Sequence, residues 1–108
     1  MTTFDERKNA FEKKFALDQD VKFKAESRRN KMIAEWAAAK LGLSGPAVED
    51  YVKAVRKADL AEKGDDDVFR KIRADFDANS LSVPDTEIRE AMMRFLETAA
   101  SQIQSESK

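Results

Sequence analysis

Helix-breaking residues are scarce in this sequence and cluster in three places, which limits what the chain can fold into more than any other feature. There are three Gly and two Pro in all. Gly42, Gly45 and Pro46 make the first interruption, Gly64 with Asp65, Asp66 and Asp67 the second, and the stretch from Asn79 to Pro84 the third. The residues between them are rich in Ala, Lys, Glu and Arg, all strong helix formers. No run alternates apolar and polar residues as a half-buried strand would, and there is no Asn-Gly hairpin turn. Three breaks separate four helical segments. In 108 residues these can share one core but not two. The sequence therefore predicts an all-α fold, a small antiparallel four-helix bundle.

Apolar spacing sets the inward faces. The segment 4–41 is too long for one ordinary globular helix and changes character near Asp18 and Asp20, so it divides into an arm over residues 1–20 and the start of a bundle over 21–108. In the bundle part, Met32, Ile33, Trp36 and Ala37 follow an i, i+1, i+4, i+5 stripe, with Trp36 as the expected anchor of the core. The second helix, capped by Ser44 or Gly45 with Pro46 in its first turn, turns Val48, Tyr51, Val52, Val55 and Ala58 inward. Gly64 is the expected closing cap of that helix. The third begins in the acidic run and offers Val68, Phe69, Ile72 and Phe76. The fourth starts near Pro84 and Asp85 and shows Ile88, Met92, Phe95, Leu96, Ala99 and Ile103. Val, Ile, Leu and Phe number 23 of the 108 residues, enough for a small core with little to spare.

Composition excludes several function classes. The chain has no Cys and no His. Disulfides, thiolate or imidazole metal sites, Cys nucleophiles, an imidazole general base and a histidine pH switch are all ruled out. Asp and Glu are so plentiful that no carboxylate pair stands out, and the protein is expected not to be an enzyme. No cofactor is expected. Asp65, Asp66 and Asp67 read as a helix N-terminus, since an EF-hand would need alternating ligands and a closing Glu where Phe76 stands. Arg28, Arg29 and Lys31 form a basic knot without a Gly-rich phosphate loop and read as a solvated helix face. No apolar stretch approaches a membrane span, and the N-terminal residues lack a signal peptide's apolar run, so a cytoplasmic location is expected.

Charge is uneven along the chain. Twenty Lys plus Arg face 21 Asp plus Glu, a net charge of -1. Residues 1–31 carry nine basic against six acidic residues, a net of +3, and residues 65–108 carry six against ten, a net of -4. A basic end suits an acidic partner or the chain's own acidic half. The arm is the most informative part of that end. Phe4, Phe11 and Phe15 fall at i, i+7 and i+11, a narrow aromatic stripe on a helix, flanked by Arg7, Lys8, Lys13 and Lys14. Only Ala10, Ala16 and Leu17 add apolar area nearby. A helix with a few large side chains and little else apolar orders in a partner's groove, so the arm is expected to be mobile and amphipathic when free. The alternatives are packing of the stripe into the bundle core, a membrane-surface helix, and a helical accessory protein that uses the basic end to bind nucleotide, nucleic acid or an acidic protein surface.

The stretches Thr3-Phe4-Asp5 to Phe15-Ala16, Phe23-Lys24-Ala25, Arg28-Arg29-Asn30-Lys31, Trp36-Ala37-Ala38, Gly64-Asp65 and Asp67-Val68 together resemble the zeta subunit family of bacterial F-type ATP synthases. The resemblance is densest over residues 3–41 and most specific from Phe23 to Trp36. It implies a small four-helix protein that inhibits ATP hydrolysis by the catalytic sector, with the alpha, beta and gamma subunits as partners. The implied location is cytoplasmic, attached to the membrane-bound enzyme through its soluble sector. By the same resemblance the arm enters a crevice at an alpha/beta catalytic interface, folds there and blocks the rotor in the hydrolytic direction. Phe4, Phe11 and Phe15 would supply the buried contacts, and Arg7, Lys8, Lys13 and Lys14 would steer and set register. Weak adenine-nucleotide binding is compatible with this reading, although no pocket is identifiable from the residues. Neither nucleic-acid binding nor direct membrane insertion is expected.

Overall fold

The computed structural model describes residues 19–59 and 66–106. Four helices account for most of them: α1 (Gln19–Lys40), α2 (Pro46–Asp59), α3 (Asp66–Ala78) and α4 (Asp85–Glu106). Among the described residues there is no strand, and the four helices pack as the all-α bundle that the three breaks predict.

The breaks act through helix caps. Gly42 sits at φ 79° just past α1, where its amide donates to the Ala39 carbonyl at 3.2 Å and the Leu43 amide to that of Ala38 at 2.9 Å. That pair of bonds is a Schellman cap, and its left-handed residue favours Gly. Pro46 then occupies the first position of α2, where no amide is needed, and the Val48 amide reaches back to the Gly45 carbonyl. The end of α3 repeats the Schellman pattern with a different residue. The Ser80 amide donates to Asp77, the Leu81 amide to Phe76, and Ser80 itself holds φ 57°. At the start of α4 the Pro84 carbonyl accepts from the Glu87 and Ile88 amides.

α1 and α4, each 22 residues long, run antiparallel along their length. The Lys40–Glu87 ion pair (3.0 Å) ties one end and Arg28–Glu106 (2.7 Å) the other. α2 and α3 have only 14 and 13 residues and cannot cover the whole pair. The core divides accordingly. One cluster joins Ile33, Ala37, Val55, Val68, Ile72, Phe76 and Ile88 from all four helices. A smaller one joins Ala25 of α1 to Leu96, Ala99, Ala100 and Ile103 of α4. Each fully buried Ile or Phe contributes about 1.5–3 kcal/mol over the exposed state.

Two expectations need correction. The buried stripe of α1 is Ile33, Ala34, Ala37 and Ala38, one residue beyond the expected Met32, Ile33, Trp36 and Ala37. Its continuation toward the N-terminus is Ala25, Arg29 and Asn30, the two polar residues almost wholly buried and joined by an Arg29 Nε to Asn30 Oδ1 bond of 2.7 Å. The second correction concerns the anchor. Trp36 is half-buried and packs on the core margin against Phe76, ring centroids 5.9 Å apart, with Lys40 Nζ 5.0 Å from its ring centroid. Phe69 and Phe95 share this arrangement, lying partly exposed beside Arg89 and Arg94. Among these aromatics only Phe76 is wholly interior.

Candidate functional site

All seven residues expected to contact a partner, Phe4, Arg7, Lys8, Phe11, Lys13, Lys14 and Phe15, lie outside the described residues. So do Gly64, the expected cap of α2, and Asp65. The described remainder of the basic end nevertheless has a definite geometry, set by where the helices stop.

The expected basic knot is not one solvated face. Successive residues on a helix are 100° apart, so Arg28, Arg29 and Lys31 point in different directions. Arg29 turns inward, contrary to expectation, while Lys31 faces solvent. Arg28 turns toward α4. Its guanidinium donates to both carboxylate oxygens of Glu106, at 2.7 and 2.9 Å, and to Gln102 Oε1 at 3.2 Å. This two-pronged bond lowers the Glu106 carboxyl below the ordinary glutamate range and raises the Arg28 guanidinium still further.

An open groove of about 670 Å³ runs beside that pair. Lys24, Arg28 and Lys31 of α1 and Arg56 of α2 form its rim, and Met32 and Ile103 give it an apolar floor. Glu35 and Glu106 are the acids in its lining. Close by on α1, Phe23 is 71% exposed, a large apolar side chain in water. Sequence reasoning assigns neither Phe23 nor Arg56 to a site. Phe23 falls outside the arm's stripe, and Arg56 reaches the groove only because α2 returns alongside α1, a tertiary fact with no local signal.

The acidic half is arranged differently, with Arg70, Lys71, Arg73 and Arg89 held by aspartates. Asp66 and Asp67 occupy the first turn of α3, where carboxylates favour the helix dipole. Arg89 reaches Asp66 at 3.2 Å, and Arg70 bonds the buried Asp67. Asp67 Oδ2 is buried with no hydrogen-bond partner among the described residues. Arg73 bonds Asp77, Asp85 and the Val83 carbonyl, fastening α3 to the connection before α4. The Tyr51 hydroxyl donates to Asp75 Oδ2 at 2.8 Å, and Lys71 pairs with the same carboxylate. Burial, then this bond, raises the Tyr51 phenol far above its ordinary value. No group of three or more metal-ligating side chains occurs among the described residues, and none of the described helices is long and apolar enough to cross a membrane.

Comparison with curated proteins gives no match. A protein whose structure was solved by NMR in solution is 39% identical, with a TM-score of 0.66 over 78% of this chain and 95% of that one. The sequence model of one family, the ATPase inhibitor subunit zeta, matches residues 1–102 and thus takes in both the arm and nearly the whole bundle. A match of that extent agrees with the helical architecture and with the resemblance carried by Phe23 to Trp36, and the chain belongs to the ATPase inhibitor subunit zeta family.

Proposed function

We propose that this protein inhibits ATP hydrolysis through residues 1–15, which enter a crevice at an alpha/beta catalytic interface of F-type ATP synthase, fold there as a helix and stop the central rotor in the hydrolytic direction. The observation that carries the proposal is the family match, which begins at residue 1 and so includes the arm. Membership supports the inhibitory role and the association with ATP synthase. The aromatic stripe supports the choice of segment.

Phe4, Phe11 and Phe15 supply the apolar contact, and burying an aromatic side chain in a partner's pocket gives the strongest single contributions to such interfaces. Arg7, Lys8, Lys13 and Lys14 meet acidic surface at the rim, where they raise the association rate and fix register. The bundle is the body that stays outside. Among the described residues its two core clusters draw on α1 to α4.

The order of mutational effects tests this division. Phe11→Ala and Phe15→Ala should each weaken binding by about 1–2 kcal/mol, read as roughly 5- to 30-fold faster release from the inhibited complex. Replacing Lys13 and Lys14 with Gln should slow association and reduce its salt dependence, with little change in release. Neutral phenylalanine substitutions beside dominant lysine effects would replace groove insertion with a surface electrostatic contact.

A further inference from the structure

Among the described residues, the two short helices leave one end of the α1/α4 pair uncovered, and that end collects features the packing between these helices does not use. Phe23 stands 71% exposed there, one helical turn before Ser27 of the groove lining. Lys24, Lys31 and Arg56 rim the groove and form no ion pair among the described residues. By contrast Arg70, Lys71, Arg73 and Arg89 of the acidic half each hold an aspartate. Of the two acids in the groove lining, Glu106 is occupied by Arg28. A group of cations is thus found at the end of the described bundle that carries Phe23, its one exposed large apolar side chain among the described residues. A lone exposed phenylalanine would be ordinary. One that precedes Lys24, at the edge of a groove with more cations than acids in its lining and with Met32 and Ile103 for apolar area, has the make-up of an interface anchor with a charged rim.

We infer that Phe23, Lys24, Lys31 and Arg56 form a second docking surface, which seats on an acidic surface patch of the catalytic sector outside the crevice taken by the arm. The inference rests on the proposed function for the identity of the partner. Charge complementarity selects the chemistry, because Lys24, Arg28, Lys31 and Arg56 in the groove lining outnumber its two carboxylates, Glu35 and Glu106. Continuity selects the place. Phe23 and Lys24 follow the arm directly in sequence, so a partner that holds residues 1–15 brings its own surface to this end of α1. The bundle then adds affinity and orients the arm, and does more than halt its entry.

The test uses the full chain and its cognate catalytic sector, with binding kinetics and ATP turnover measured separately. The triple variant K24Q/K31Q/R56Q should associate about tenfold more slowly at low ionic strength and lose most of the salt dependence of that rate. A control triple with the same charge change on other faces, K40Q/K71Q/R94Q, should stay within about twofold of the unaltered chain. Phe23→Ser should leave association nearly unchanged and speed release about fivefold. Because the changed side chains sit at the surface, circular dichroism and melting should confirm an intact bundle, and the single variants K31Q and R56Q supply smaller effects in the same direction. Equal association rates for the two triple variants would overturn the inference, as would concentration-dependent dimerisation of the unaltered chain that K24Q/K31Q/R56Q abolishes, since the occupant would then be a second copy. If the unaltered chain binds with these charge and Phe23 effects yet leaves turnover unchanged, the docking surface stands and the inhibitory arm falls. A chain that does not bind the sector refutes both.

Discussion

Side-chain burial explains which residues matter for stability and why some were legible from sequence. Phe76 is wholly enclosed, whereas Trp36 lies half out of the core beside Lys40. Phe76→Ala should therefore cost about 3–5 kcal/mol and Trp36→Ala about 2, in proportion to the area each removes from water. Urea unfolding of the two variants checks the order, and a larger loss at Trp36 would return it to the centre. Hydrophobicity and size point to Trp36 as an anchor, but they do not tell the middle of a buried face from its edge. The reverse holds for Arg29 and Asn30. Polar residues on a helix read as solvent-facing, and only the tertiary packing that surrounds them makes them interior. The Arg29 Nε to Asn30 Oδ1 bond satisfies part of their hydrogen-bonding need once water is gone.

The helices themselves differ in how plainly the sequence declares them. α2 and α3 carry apolar stripes with polar opposite faces, and Tyr51, Val52, Val55, Val68, Ile72 and Phe76 are buried as the spacing predicts. α1 buries alanines together with Arg29 and Asn30, so its two faces hardly contrast, and its stripe reads one residue out of place. Gly42 and Pro46 mark their boundary correctly because their backbone chemistry is local. Ser80 does the job of a Schellman glycine at a left-handed φ that L side chains resist. Ser80→Gly should raise stability by up to about 1 kcal/mol in thermal melts, and a destabilised variant would contradict the cap. Between α1 and α4, the Arg28–Glu106 bond lowers the Glu106 carboxyl. A carboxyl with a folded value below its unfolded one contributes stability at pH above the unfolded value, near 4.3 for Glu, and loses it as pH falls through the lower folded value. NMR titration should place the Glu106 midpoint below that of an ordinary glutamate, and Arg28→Gln should bring it back up.

At the scale of the molecule, helix length decides where the groove lies. Among the described residues, two long helices and two short ones place a four-helix core cluster toward one end of the α1/α4 pair, while the other end carries Phe23 and the basic rim. The fold class, four helices and their breaks were readable from Gly, Pro and apolar spacing. The groove was not, because it depends on α2 returning beside α1 and on α4 supplying Glu106 from 78 residues away. The proposed function makes the arm, with its stripe of Phe4, Phe11 and Phe15, the inhibitory element and the bundle its carrier. Steady-state ATP hydrolysis by the cognate catalytic sector, measured with the full chain and with a chain lacking residues 1–15, tests that division directly. The full chain should lower turnover and the shortened one should leave it unchanged, while keeping its helical content per residue and its melting temperature. A shortened chain that inhibits as strongly as the full one would place the active surface on the bundle and contradict the account.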